Sequence, residues 1–294
     1  MRIGFIGIGN MGWPMAANLV AAGHDVTVQD ADPDLAGRFA AEVGGRAAAG
    51  LGEVAANEVV VCMLPTGAIV REVLTAAEGG AFAAGLKPGC IIIDMSSSEP
   101  VGTKELGPVL AERGAVLLDA PVSGGVARAK TGELAIMIGG DDAAAIEAAQ
   151  PVLQAMGARL FRTGGLGSGH AMKALNNMVA AASYVATAEA MLIGRRFGLD
   201  PGTMVEIMNV STGRNFHTDV VMKDHVVGEK FATGFAVGLL AKDVKIAADL
   251  GRAMKMAAPM ANLTEERWAT ARDRLGATAD NSLAITVLEA DLQS

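Results

Sequence analysis

Three groups of residues in this chain have the types and the spacing to do chemistry. The first is Gly7-Ile8-Gly9-Asn10-Met11-Gly12, a Gly-x-Gly-x-x-Gly run that leaves the apolar stretch IGFI and enters the Ala-rich stretch MAANLVAAG. The first glycine permits a tight turn, the second lets a pyrophosphate approach the backbone, and the third lets helix and strand pack closely. A helix start placed there offers unpaired N–H groups and a favourable dipole to phosphates. Asp30 closes the next apolar run, DVTVQD, 21 residues after Gly9, near the ~20 at which a carboxylate meets an adenosine ribose. A carboxylate there accepts hydrogen bonds from both ribose hydroxyls of NAD and repels the 2′-phosphate of NADP. No Arg or Lys follows it in DADPDLAG, so the cofactor read from these residues is NAD. A plain glycine turn followed by a strand-end Asp is the structural alternative.

The second group is Ser123-Gly124-Gly125 in DAPVSGG, which follows a predicted strand and so sits on a loop at the carboxyl edge of a sheet, where open α/β sheets bind ligands. Successive N–H groups of a glycine pair form an anion-binding concavity, and with a Ser hydroxyl they suit a small carboxylate; a structural turn would use the same residues. The third is Lys173 and Asn177, four apart in a stretch predicted to be helical, and therefore on one face one turn apart. A Lys in an Ala- and Met-rich helix costs desolvation unless it serves a site or snorkels to solvent. Burial lowers a lysine's pKa from ~10.4 toward neutrality, as proton exchange with an alcohol requires. Asn176 and Asn177 as core amides bonding between helices are the structural alternative.

Other chemistries find no support. His24, His170, His217 and His225 show no metal-ligand spacing, and His170, near a helix start, reads as a polar surface group. No Gly-x-Ser-x-Gly elbow occurs and Ser123 has no identifiable base, so hydrolysis is not indicated. Cys62 and Cys90 lie in apolar runs and read as small buried thiols in a reducing compartment.

These residues need elements to position them. From the start to about residue 163, apolar β-branched runs alternate with helical windows: IGFI, DVTVQD, EVVVCML, CIIIDM, AVLLDA, LAIMIGG and ARLFRT. That is the βαβ pattern of a mostly parallel, doubly wound, Rossmann-like sheet with strands buried on both faces. After the glycine cluster at 164–169 only helical windows remain. The organisation expected is therefore a dinucleotide-binding domain over 1–163 and an all-helical domain over 164–294. One helix is expected at about 169–196, and others starting near Asp200-Pro201, Gly234 and Ala261. With 294 residues the chain is long enough for two moderate domains. A net charge of −8 without a basic cluster argues against nucleic-acid binding. No apolar stretch reaches the roughly 18 residues of a membrane span, and no signal-peptide pattern opens the chain, so the expectation is a cytoplasmic protein without a membrane partner.

Four stretches together carry a resemblance: GIGNMGWPMAANL at the start, DAPVSGG at 119–125, GSGHAMKALNN at 167–177 and AKDVKIA at 241–247. In order and spacing the chain resembles the β-hydroxyacid dehydrogenase family over essentially its whole length. The resemblance implies that Lys173 is the general acid/base with Asn177 beside it, and that Ser123, Gly124 and Gly125 hold the substrate carboxylate. It implies that Met63-Leu64-Pro65 and Ser97 contact the cofactor, that Lys242 lies near the nicotinamide, and that Asp243 and Asn176 help close the site. Position 97 is often Thr in relatives, and Ser supplies the same hydroxyl. TGRNFHT at 212–218 falls where relatives vary with substrate. The implied activity is NAD-dependent oxidation of a short 3-hydroxy acid to its semialdehyde, or the reverse, in a homodimer or homotetramer. 3-Hydroxyisobutyrate stands first among substrates, with tartronate semialdehyde or another short hydroxy acid second. A non-catalytic dinucleotide-binding module would not need Lys173 and Asn177, and imine reductases on a similar scaffold generally replace the lysine.

Overall fold

A computed structural model describes residues 1–293, which divide into two compact units, Met1–Lys173 and the chain from Ala174 onward. The first unit holds nine strands: β1 (Arg2–Ile6), β2 (Asp25–Gln29), β3 (Arg46–Ala47), β4 (Val59–Cys62), β5 (Ile91–Asp94), β6 (Val116–Asp119), β7 (Val122–Ser123), β8 (Ala135–Gly139) and β9 (Arg159–Gly164). They form one sheet in the order β3-β2-β1-β4-β5-β6-β8-β7, with β9 added to β8. Strands β1 to β6 run parallel, β8 is antiparallel to β6 and β7, and β9 is parallel to β8. Strand order reverses between β1 and β4, and the crevice beyond their carboxyl ends is where such sheets take ligands.

The apolar runs are buried on both faces. Alternate residues of each strand serve two different cores: Val59, Val61, Ile91 and Ile93 join Phe5, Met15 and Leu19 on one side, whereas Val60, Cys62 and Ile92 join Leu74, Phe82 and Leu110 on the other. This two-sided burial is why the strands read as continuous hydrophobic runs without alternation. Both cysteines are buried free thiols, and burial pushes Cys90 up to about 12.

The helix Ser168–Phe197 begins in the first unit and continues into the second, which further contains the helices Pro201–Asn209, Val237–Ala253, Pro259–Leu275 and Ala284–Gln293. Among the described residues the second unit has an isolated bridge, Ala236 with Asp280, in place of any strand. Asp200 caps its helix by accepting the Thr203 N–H at 2.8 Å, with Pro201 in the first turn. The helix expected near Gly234 starts at Val237. The reason is that the Asp280 carboxylate holds the Gly234 N–H (2.8 Å) and the Thr233 hydroxyl (3.0 Å), keeping that segment out of the helix. The one expected near Ala261 starts at Pro259, whose fixed φ suits a first helical turn.

The core of the second unit centres on Trp268 and Tyr184, whose rings lie 5.2 Å apart. Trp268 Nε1 donates to the Ala181 carbonyl at 3.1 Å, and the Tyr184 hydroxyl donates to the Ser282 carbonyl at 2.7 Å. Against this core packs a ten-residue π-helix, His217–Val226, a form no sequence pattern had suggested. Its first residue, His217, is buried edge-on to Tyr184 and Phe216. Burial pushes His217 down to about 4. No helix among the described residues is long and apolar enough to cross a membrane.

Candidate active site

In the first unit the candidate residues gather at the carboxyl ends of successive strands. The turn after β1 shows three glycines required for three different reasons. Gly7 has φ +89°, a conformation that strains any side chain, and an added Cβ would collide with the Met63 carbonyl oxygen. At Gly12, the first residue of the helix Gly12–Ala21, a Cβ would collide with the Gly7 carbonyl oxygen. Gly9 has nothing within 4 Å of where its Cβ would lie, so its backbone faces open space. A close-packed turn with one bare, exposed backbone position fits the approach of a pyrophosphate.

Asp30, just past β2, reaches the same turn. Its Oδ2 accepts the Ile8 N–H at 2.8 Å and its Oδ1 accepts the Asp32 N–H at 3.1 Å, so the carboxylate is held beside Ile8. Asn10 is exposed and Met11 half-buried at the rim. The residues present therefore fit a dinucleotide. After β4, Met63 and Leu64 flank Gly7, with Pro65 next in the chain, and the Leu64 N–H donates to Ser96 Oγ at 2.9 Å. Ser96 and Ser98 are in turn bound to the buried Asp94 carboxylate, at 3.0 and 2.8 Å. Ser97, between them, is half-buried.

Ser123 departs from the expected loop: Val122 and Ser123 form the short strand β7, paired antiparallel to Ile136 and Ala135 of β8. The loop narrows to Gly124, with φ +137°, before Gly125 begins a short helix, Gly125–Thr131. Both glycines are exposed with Ser123 half-buried beside them. Lys173, half-buried, lies in the second turn of Ser168–Phe197.

His170 is a correction. The ring expected at the surface is fully buried, its Nδ1 2.8 Å from Thr103 Oγ1 and its Nε2 3.6 Å from Asp94 Oδ2. An i, i+3 relation to Lys173 does not say which face of a helix meets solvent, and here the face carrying His170 rests on the sheet edge.

In the second unit the remaining candidates also meet. Asn177 and Asp243 are both buried, and Asn177 Nδ2 donates to Asp243 Oδ2 at 2.6 Å. Asn177 Oδ1 accepts from Asn176 Nδ2 at 3.2 Å, and Lys242 Nζ lies 3.1 Å from Asp243 Oδ1. The acid on Val237–Ala253 thus orients both the amide and the ammonium.

Sequence reasoning passed over Asp119, which ends β6 with 0% exposure. Its carboxylate accepts the N–H of Gly167 at 2.7 Å and of His170 at 2.8 Å. The available signal was an acid closing an apolar strand just ahead of Ser123.

Residues 2–165 match the family described as the NAD binding domain of 6-phosphogluconate dehydrogenase. Residues 167–288 match the NAD-binding family of NADP-dependent 3-hydroxyisobutyrate dehydrogenase. The chain is 39% identical over 262 residues to the mitochondrial 3-hydroxyisobutyrate dehydrogenase of Mus musculus, covering 86% of this chain and 76% of that one. It is 36% identical to the 2-(hydroxymethyl)glutarate dehydrogenase of Eubacterium barkeri, over 98% of this chain and 95% of that one. Among solved structures, the Mycobacterium tuberculosis 3-hydroxyisobutyrate dehydrogenase with L-serine superimposes with a TM-score of 0.89, 34% identity and 98% coverage of each chain.

Proposed function

Because this chain belongs to the β-hydroxyacid dehydrogenase family, we propose that it oxidises 3-hydroxyisobutyrate at C3, with Lys173 exchanging the hydroxyl proton. The protein is an NAD-dependent oxidoreductase of this family; the substrate and the residue roles are the proposal. When bound, the nicotinamide takes up or returns the hydride. In the oxidative direction the C3–H bond breaks, the neutral Lys173 amine takes the hydroxyl proton, and the C–O bond becomes the aldehyde carbonyl. The Ser123 hydroxyl and the Gly124 and Gly125 N–H groups hold the substrate carboxylate. Asn177, its amide oriented by Asp243, contacts the substrate, while Lys242 with Asp243 and Asn176 closes the site. Asp30 and the Gly7–Gly12 turn, with Met63, Leu64, Pro65 and Ser97, bind the dinucleotide.

What supports the reading is that, within the first unit, the open Gly9 backbone follows the carboxyl end of β1, the glycine pair follows Ser123 of β7, and a half-buried lysine stands one turn beyond the helix start held by Asp119 at the end of β6. The substrate rests on the 39% identity to a 3-hydroxyisobutyrate dehydrogenase. Exposed apolar side chains on the second unit support a homodimer or homotetramer: Val210 is 87% exposed, Phe197 84% and Ile193 65%. The test is a panel of 3-hydroxyisobutyrate, tartronate semialdehyde, 2-(hydroxymethyl)glutarate and L-serine, followed by nicotinamide absorbance with NAD and NADP. A higher kcat/KM for any other member than for 3-hydroxyisobutyrate would displace the proposed substrate.

A further inference from the structure

The first turn of a helix has N–H groups without intrahelical partners, and a carboxylate that accepts them fixes both the axial position and the rotation of that turn. In Ser168–Phe197 the carboxylate comes from far away in sequence. Asp119, 48 and 51 residues before its partners, accepts the Gly167 and His170 N–H groups with its two oxygens, at 2.7 and 2.8 Å. The neighbouring glycines are shaped to this contact. A Cβ on Gly169 would collide with the Met137 carbonyl and lie 2.9 Å from the Asp119 carbonyl oxygen, and one on Gly139 would collide with Asp119 Oδ1. The helix start is therefore seated directly on the ends of β6 and β8.

Two distances along the chain give this seat its meaning. Ser123 stands four residues after Asp119 and is tied down on the way, since the Met137 N–H donates to the Pro121 carbonyl at 3.0 Å and β7 pairs with β8. Lys173 stands three residues, about one turn, beyond His170. One buried side chain thus joins the strand leading to the carboxylate-holding loop with the turn leading to the lysine. We propose that Asp119 is a positioning residue for the dehydrogenase reaction: it sets Lys173 at a fixed place relative to the Ser123–Gly125 loop, and so relative to the hydroxyl of a substrate held there. This rests on the reading of Lys173 as the proton-exchanging group.

The substitution Asp119→Asn keeps the shape and one acceptor oxygen but turns an NH2 group toward the second helix N–H. Thermal unfolding and NADH binding, read by nicotinamide fluorescence, establish that the variant is folded and takes cofactor as the wild type does. Displacement of an acid/base group by a fraction of an ångström to 1 Å lowers turnover by up to ~10²-fold, so kcat is expected to fall roughly 30- to 100-fold while substrate KM moves less than about threefold. His170→Gln keeps both backbone donors and is expected to retain kcat within about threefold. If Asp119→Asn fails to fold, Asp119→Ser, which is smaller and keeps one hydroxyl as acceptor, is expected to show the same kcat loss.

A double-mutant cycle separates positioning from a merely structural role. In a Lys173→Met background, Asp119→Asn is expected to add less than about threefold, because its effect passes through the missing amine. A further loss as large as in the wild-type background would overturn the proposal. So would normal kcat in Asp119→Asn. Wild-type turnover in Lys173→Met alone would instead remove the acid/base reading, and the proposal with it.

Discussion

Acid should loosen the second unit through His217, and replacing that residue should remove the effect. His217 is 4% exposed and its pKa is pushed down to about 4 from an ordinary 6.5, chiefly because burial penalises the imidazolium. A base whose folded pKa is depressed binds fewer protons than the unfolded chain, so stability is full above the unfolded value and is lost as pH falls through the folded one. For a drop from 6.5 to about 4, linkage gives a loss of about 2 kcal/mol between pH 7 and pH 5 and about 3 kcal/mol by pH 4. His217→Leu removes the titration with little change in volume. Since the ring is buried against Tyr184 and Phe216 and its one polar neighbour is the Ala180 backbone, apolar replacement at pH 7 is expected to be close to neutral. The assay is urea unfolding of the full chain in a Trp13→Phe background, so that fluorescence comes from Trp268, buried 5.2 Å from Tyr184 in the same core as His217's neighbours. The variant should hold its midpoint between pH 7 and pH 5 better than the parent, by an amount equivalent to about 2 kcal/mol. Parallel loss in both proteins would refute the assignment of the acid sensitivity to His217.

If Asp30, held beside Ile8 of the glycine turn, has the proposed ribose-binding role, NAD should exceed NADP by at least about tenfold in kcat/KM; equal values would remove that role, and Asp30→Ser with Ala31→Arg should narrow the gap. Lys173→Met should bind NADH normally and lose roughly 10² to 10⁴ in turnover, with kcat affected more than KM; a raised KM with intact kcat would make the lysine a carboxylate binder instead. Asp243→Asn should weaken the orientation of Asn177 and Lys242 together, so that its kinetic cost and that of Asn177→Ala are less than multiplicative; independent costs would dissolve the pair. Light scattering at micromolar concentration should report a dimer or tetramer, and a mass near the 29.9 kDa of one chain would oppose the oligomer.

What could be read from the sequence was whatever local physics writes into residue type. Parallel strands buried on both faces must be apolar throughout, so β4 and β5 were visible as VVVC and IIID. A turn that must pack closely at two positions and leave backbone open at a third has to be written in glycine, so Gly7, Gly9 and Gly12 were visible too. Asp30 followed from spacing along one βαβ unit. What escaped depends on partners distant in the chain. The Asp119 seat joins residues 48 and 51 apart, and together with Thr103, 67 residues before His170, it turns that ring inward. The pairing of β7 with β8 turns part of an expected loop into strand, and Asp280 delays a helix by holding Gly234 from 46 residues away. The π-helix at His217–Val226 inserts a periodicity that 3.6-residue reasoning does not anticipate.

The three glycines of the opening turn will not fail alike under mutation. Alanine at Gly7 or Gly12 meets a carbonyl oxygen, so the damage is to folding, and less protein should accumulate in a cell. Alanine at Gly9 meets no neighbouring atom, so the protein should accumulate normally and melt normally, and, if the pyrophosphate rests there as proposed, turn over poorly because of the added methyl group. A survey of variants scored by cellular abundance would pass over Gly9 entirely, whereas one scored by growth on the substrate would rank it with the other two. The difference between those two maps, position by position, is an outline of the surface this protein keeps for its ligand.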